Sequence, residues 1–269
     1  MYALPDVGRI TSRENQLIKE AALLKASARR RAEQSLFIAE GLRLCADAVR
    51  SGIIVRRLFF TPGFSQSHPD ELGYILDASE SAYETMPHAL EKLADTQSPQ
   101  GVVCVCEMPR EPEDFGRVLT PGNAVLALED VRDPGNLGSA ARTAEALGFS
   151  ALVLSAGGCS PYNPKALRAS MGAFFRIPVK TAANMPDFIR SCGQINTFAS
   201  VVDADALPVT RADFSKGGVL LIGSEGQGLT KETVGACSHR ITIPMAGRAQ
   251  SLSASAAAAI MMWQLTINN

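Results

Sequence analysis

Short apolar runs that stop at glycine, proline or acidic turn signals recur along this chain, separated by stretches whose apolar residues return every three or four positions. The first pattern predicts buried strands and the second amphipathic helices, which together mean alternating α/β structure. At the front, ITSRENQLIKEAALLKASARRR predicts one helix from Ile10 to Arg31, capped by Ser12 or Asn15, with Leu17, Ala21 and Leu24 on its buried face. A strand over Leu36–Ala39, a helix from Gly41 to Arg50 and a turn at Ser51-Gly52 follow. VRRLFFTP predicts another strand, YILDAS a third, MPHALEKLAD a helix and GVVCVCEMP a last strand.

The segment from Pro109 to Asn123 carries three prolines and several charges, and reads as a linker. The expected division is a smaller α/β domain over residues 1–108, a linker over 109–121 and a second domain over 122–269. In the second domain AVLALED, ALVLS, RIPV, NTFASVVDAD, VLLIG and RITIP are strand-like and alternate with helical stretches, which predicts a mostly parallel sheet. The helix opened by DPGNLGSAARTAEALGFS takes Asn136 as cap and Gly148 as terminator, and buries Leu137, Ala141, Ala144 and Leu147. Two apolar runs, Val219 to Ile222 and Ile241 to Ile243, stop at GSEGQG and PMAG. In an open α/β sheet the crevice beyond such strand ends is where ligands bind. After the second loop, Ser251 is a good cap for an alanine-rich helix starting near Leu252.

Composition narrows the class. Hydrophobic residues at 46% and charged residues at 20% describe a globular protein with a sizeable core. No apolar run approaches the roughly eighteen residues of a membrane span, and MYALPDVGRITSREN has no secretory pattern, so the expected location is the cytoplasm and no membrane partner is expected. Six scattered cysteines and three histidines show no metal-ligand spacing, which leaves reduced thiols and no metal. The net charge of −1 hides an asymmetry: residues 1 to 60 hold eleven Lys or Arg against six Asp or Glu, and residues 61 to 120 hold three against eleven. A local basic surface, not the total, is what displaces counterions from phosphates.

The candidate chemistry lies in the second domain. Gly226 and Gly228 are followed by Leu229, Thr230 and Lys231, so the dinucleotide fingerprint fails at its third glycine, and no Walker sequence is present. A generic nucleotide-binding oxidoreductase is therefore a weak reading. Arg142 sits off the buried stripe of its helix; a salt bridge with Glu145 or Asp133 would be its structural use. Asn136 as a helix cap and Glu225 as a solvated turn acid have equally plain alternatives.

Taken together, DVRDPGNLGSAARTAEALGF, GVLLIGSEGQGL and HRITIPMAGRAQSLSASAAAAIMMWQL resemble the three motifs of the SpoU (TrmH) branch of the SPOUT methyltransferases, over roughly Gly122 to Leu265. FIAEGLR after a basic helix is similar to the L30e-like RNA-binding extension of many members. The resemblance implies a trefoil-knotted methyltransferase domain behind a smaller L30e-like α/β domain, and transfer of a methyl group from S-adenosylmethionine to a ribose 2′-hydroxyl, with 23S ribosomal RNA as the expected substrate. It places the cofactor at Gly223, Ile243 and Leu252, with Leu221, Ile222, Met245, Ala199 and Ser200 around it. It gives Arg142 the acceptor, with Asn136, Glu225, Ser251 and Ser253 in support, and RNA to Arg9, Arg13, Arg29, Arg30, Arg31, Arg43 and Arg168. A homodimer is implied, with the small face of Ala254, Ala257 and Ala258, then Met261, Met262 and Trp263, available to a partner helix. One position departs: the family's S-L-N is Ser251-Leu252-Ser253 here, a hydroxyl in place of an amide. That predicts a slower enzyme, a water in the gap, or a catalytically silent RNA-binding or ribosome-assembly protein; a tRNA ribose methyltransferase is the other alternative.

Overall fold

The computed structural model describes residues 7–112 and 114–267. The chain forms two compact units, one running to Arg110 and taking in Ser160–Phe175, the other holding Glu111–Cys159 and the chain from Arg176 onward.

In the first unit the elements are β1 (Val7–Ile10), α1 (Gln16–Ala26), α2 (Ala28–Gln34), β2 (Leu36–Glu40), α3 (Leu42–Arg50), β3 (Val55–Phe60), α4 (Pro62–Ser67), α5 (Pro69–Asp77), β4 (Ala82–Thr85), α6 (Pro87–Leu90) and β5 (Val102–Glu107). They build a five-stranded sheet of order β1-β4-β3-β5-β2, in which β5 runs antiparallel to both its neighbours. Ile18, Ala21 and Leu24 of α1 pack on Ile38, Phe59, Val103 and Val105 of the sheet.

Several sequence expectations change here. The basic helix expected over Ile10–Arg31 is two helices behind a strand, because Ser27 turns extended and its hydroxyl caps α2 through Arg30 N–H. Asn15, not Ser12, caps α1. YILDAS is the end of α5: Pro69 sits in its first turn with Asp70 and Glu71, and Leu72 and Ile75 are buried one turn apart. The strand is β4, four residues buried at their two ends, Ala82 and Thr85, with no two-residue alternation to be read from sequence. The helix of MPHALEKLAD stops at Leu90, and the carbonyls of Lys92 and Ala94 accept from Lys25 Nζ at 2.8 Å each.

In the second unit, residues 109–121 were expected as linker, but Phe115 within them is buried in the core with Phe188 and Val219. β6 (Ala124–Leu128), α7 (Pro134–Ala146) and β7 (Ala151–Ser155) follow; α8 (Pro164–Ser170) and α9 (Ala173–Arg176) come next, and residues 160–175 of that stretch belong to the first unit. The second unit resumes with β8 (Val179–Ala182), α10 (Met185–Ser191), β9 (Thr197–Ser200), β10 (Leu207–Pro208), β11 (Gly218–Ile222), α11 (Lys231–Ala236), β12 (His239–Thr242) and α12 (Ala254–Ile267). Its seven strands are ordered β10-β12-β9-β11-β6-β7-β8 and every pair is parallel, so all carboxyl ends share one edge.

Two helix starts differ from expectation. Asp133, not Asn136, caps α7: its Oδ1 accepts from Asn136 N–H at 2.8 Å. Gly148, at φ +75°, ends that helix as expected. α12 begins at Ala254, and Ser253, not Ser251, caps it, accepting Ala256 N–H on its hydroxyl and Ala257 N–H on its carbonyl. Ala254, Ala258, Met261 and Met262 are buried within the chain, so the small face offered to a partner is already covered, whereas Ile260, Trp263 and Ile267 are exposed. Among the described residues no helix is long and apolar enough to cross a membrane.

Candidate active site

The adjacent tips of β9, β11 and β12 open onto a cavity of about 460 Å³. Ser200, Ile222, Gly223, Ile243, Met245 and Leu252, all marked from sequence as cofactor positions, line it together with Ser251 and Glu225. Leu221 and Ala199 do not: each is 0% exposed, and the two-residue alternation of a strand turns Leu221 into the core with Val125 and Val153. The sequence reading missed Val201, Gln227, Leu229 and Gln250, and also Ala254, Ala257 and Met261 of α12. Those last three recur at helical spacing, so one face of α12 forms a wall. The signal was in the sequence, hidden because the alanine run is apolar all round.

The loop after β11 closes on itself. Ser224 and Gly228 exchange two backbone hydrogen bonds, at 3.2 and 2.9 Å. A Cβ on Gly223 would lie 2.0 Å from the Gly228 carbonyl carbon, so only glycine permits this crossing. On the opposite wall, residues 243–252 form no backbone–backbone hydrogen bond among the described residues. Their N–H and C=O groups are available to a ligand. Apolar side chains such as Ile243, Met245 and Met261, with a rim of Ser224, Glu225, Gln227 and Gln250, suit a ligand with a flat apolar part and a polar tail.

At the rim, three segments meet through one amide. Ser255 Oγ donates to Asn136 Oδ1 at 2.7 Å, and Asn136 Nδ2 donates to Glu225 Oε1 at 2.7 Å. Asn136 thus joins the first turn of α7, the loop after β11 and the first turn of α12. Ser255 was not marked from sequence; Ser253 was, but its hydroxyl is spent on the helix cap and lies 3.4 Å from that of Ser255. Arg142, further along α7, is exposed and makes no hydrogen bond or ion pair among the described residues. Of the two partners considered for it, Glu145 pairs instead with Arg176 at 2.9 Å and Asp133 caps α7. Burial pushes the Cys192 and Cys237 thiols up to about 11 and about 12, so neither is a nucleophile near neutral pH.

The basic residues of the first unit sort into four kinds. Arg13 pairs with Glu91, Arg29 and Arg30 with Glu33, and Arg9 approaches Glu84, all on exposed side chains. Such pairs contribute about 0–1 kcal/mol and exchange readily for a phosphate. Arg31 is not of this kind: at 3% exposure it donates to the carbonyls of Leu24 and Lys25 at the end of α1, which removes it from any RNA-contacting set. Arg168 is bound to Asp95 at 2.6 Å and faces Glu40 at 3.7 Å. Arg43 is exposed and makes no ion pair among the described residues; it borders a cavity of about 310 Å³ with Gly41, Gln100 and Arg168.

Comparison with known proteins fits this geometry. Residues 123–263 match the SpoU rRNA Methylase family, and residues 15–104 match the MRM3-like substrate binding domain. A 23S rRNA guanosine 2′-O-methyltransferase of Bacillus subtilis is 29% identical over 96% of this chain and 98% of its own length. A 23S rRNA uridine 2′-O-methyltransferase of Streptomyces viridochromogenes is 30% identical over 97% of this chain and 92% of its own. The AdoMet-bound crystal structure of an rRNA methyltransferase from Sinorhizobium meliloti superposes with a TM-score of 0.85 at 32% identity, covering 96% of this chain and 97% of that one. With a matching family domain on more than half its length and full-length relatives on both sides of it, the chain belongs to the SpoU rRNA methylase family.

Proposed function

We propose that this protein transfers a methyl group from S-adenosylmethionine to a ribose 2′-hydroxyl of 23S ribosomal RNA. The observation that carries the reading is the Ser255–Asn136–Glu225 relay at the mouth of a cavity lined by the family's cofactor motifs, with Asn136 on the same helix as the exposed Arg142. Full-length relatives that methylate the 2′-O of 23S rRNA, and a neighbour crystallised with AdoMet, support it.

When bound, S-adenosylmethionine supplies an activated methyl group. The residues that would hold it are Gly223, Ile243, Met245 and Leu252, mostly through backbone groups left unbonded in residues 243–252. Arg142 acts on the acceptor side. A guanidinium gives up its proton too reluctantly to serve as base, so its role is electrostatic: it binds an RNA phosphate and stabilises the negative charge that develops on the ribose oxygen. Asn136 and Glu225 fix the first turn of α7 against the loop after β11, so the helix carrying Arg142 does not drift. RNA is held by exposed Arg43, Arg13, Arg29 and Arg30 on the domain spanning residues 1–108, contacting backbone and shape more than stacked bases.

The reading includes a trefoil knot in residues 122–269, supported by a cavity lined at once from Ser200–Val202, Ile222–Leu229 and Gln250–Leu252. It also includes a cytoplasmic homodimer, now through the exposed Ile260, Trp263 and Ile267 stripe. Sedimentation of a monomer at working concentration would remove the dimer. The activity is tested with radiolabelled donor and ribosomal RNA lacking the modification: ribose methylation is expected, and Arg142→Ala is expected to lose most of it. No incorporation, or full activity in Arg142→Ala, refutes the reading. The silent RNA-binding alternative rested on Ser253; against it, the Ser255 hydroxyl ties the first turn of α12 to Asn136 on the helix of Arg142 without an amide at position 253.

A further inference from the structure

Glu129, the residue after β6, is 5% exposed and forms no ion pair among the described residues. A carboxylate taken out of water without a cation is costly unless donors converge on it. Among the described residues, the donors to the Glu129 carboxylate all come from Thr230 and Thr233. Oε2 accepts Thr230 N–H at 2.8 Å, and Oε1 accepts the Thr233 hydroxyl at 2.5 Å and the Thr230 hydroxyl at 3.2 Å. Glu129 N–H donates in turn to the carbonyl of Ile222 at 2.9 Å. Ile222 is the last residue of β11, and Thr230 is the residue that caps α11. One residue therefore grips both ends of the loop at 223–229, through its main chain on one side and its carboxylate on the other. Every residue from Ile222 to Leu229 lines the cavity.

We infer that Glu129 is a positioning residue for donor binding: it latches the loop at 223–229 into the closed ring that shapes the cavity, without touching the ligand. The inference rests on the proposed donor site and deepens it. The ring's own cross-links, the paired bonds of Ser224 and Gly228, close residues 225–227 but do not tie the ring to β6. Glu129 supplies that tie, at Ile222 before the ring and Thr230 after it. Removing the carboxylate leaves Thr230 N–H and the Thr233 hydroxyl without their acceptor, while the Thr230 hydroxyl keeps Thr233 Oγ1 at 2.9 Å, and the loop relaxes toward solvent to satisfy them. Donor binding must then re-form the ring, and the population of the competent shape lowers apparent affinity in proportion.

The test uses full-length protein and two readouts. Titration calorimetry with S-adenosylmethionine, without RNA, is expected to show a Kd raised about tenfold or more in Glu129→Ala and about threefold in Thr233→Val, which removes one donor at constant shape. Glu129→Gln is expected to retain most of the affinity, because its carbonyl still accepts Thr230 N–H while its amide turns to hydroxyls able to accept. Amide hydrogen exchange on the donor-free protein is expected to be faster at residues 223–230 in Glu129→Ala and Thr233→Val, with β6 and β11 unchanged. Wild-type Kd within twofold and unchanged loop exchange in the variants overturn the latch. If Glu129→Ala fails to fold, Thr233→Val decides by the same criteria. Failure of the wild type to bind donor overturns the proposed function instead, and the exchange arm still judges the latch.

Discussion

Ser255→Ala isolates the relay. The substitution deletes the hydroxyl that donates to Asn136 Oδ1 at 2.7 Å, together with its long 3.4 Å contact to the Ser253 hydroxyl; Ser255 is half-buried in the first turn of α12, and alanine is a better helix former. A side-chain hydrogen bond contributes about 0.5–1.5 kcal/mol net, and an acceptor left without a partner adds to the loss, although here a water can reach the gap. Taking about 1–1.5 kcal/mol gives a roughly five- to fifteen-fold fall in rate at room temperature. The loss belongs to the step in which Asn136 must hold still, so it should be read in single-turnover methyl transfer at saturating donor, with the donor Kd unchanged.

Ser253 supplies the contrast. Its hydroxyl caps α12 through Ala256 N–H at 3.3 Å, so Ser253→Ala should cost about 0.5–1 kcal/mol of stability, visible in Tm, and leave the single-turnover rate nearly intact. Ser253→Asn, which restores the residue usual in the family, should likewise change the rate by less than about threefold, since asparagine caps as well as serine does and the relay is already complete. If Ser255→Ala turns over at the wild-type rate while Ser253→Asn gains tenfold or more, the orienting bond comes from position 253 and the reasoning is wrong.

Three further outcomes are expected. Gly223→Ala should abolish measurable donor binding by calorimetry while leaving a cooperative thermal transition, because a Cβ there meets Gly228 and Leu229 backbone at 2.0 and 2.2 Å and the loop must open. Arg31→Ala should lower stability by about 2–4 kcal/mol in urea unfolding, since it strips two carbonyls of a buried donor, whereas Arg29→Ala should leave the midpoint where it was. Arg43→Ala should raise the KM for RNA and reduce the slope of log affinity against log salt by about one, with donor Kd unchanged.

The parts of the fold that could be read from sequence are those where one physical requirement dominates. Strands buried on both faces show as uninterrupted apolar runs, so AVLAL, ALVLS and GVLLI gave away the parallel sheet, and parallel strands place their loops at one edge. Glycine at a crossing that tolerates no Cβ made the loop after β11 visible as well. What was hidden depended on competition between equal candidates. Several polar residues stand before each helix, and only the tertiary position of the chain decides which becomes the cap: Asp133 won over Asn136, and Ser253 over Ser251.

That competition has a functional consequence. Had Asn136 capped α7 with its own side chain, its carbonyl oxygen would have been turned to the helix N–H groups and its amide could not have bridged Ser255 and Glu225. Asp133 takes the cap and thereby frees Asn136 for the relay; Ser253 takes the cap of α12 and leaves Ser255, two positions on, to reach across. A loss of either cap should therefore disturb the relay indirectly, which is why Asp133→Ala is expected to slow methyl transfer more than its loss of helix stability alone would predict. Equal rates for Asp133→Ala and wild type under single-turnover conditions would show that Asn136 does not need its cap to be held elsewhere.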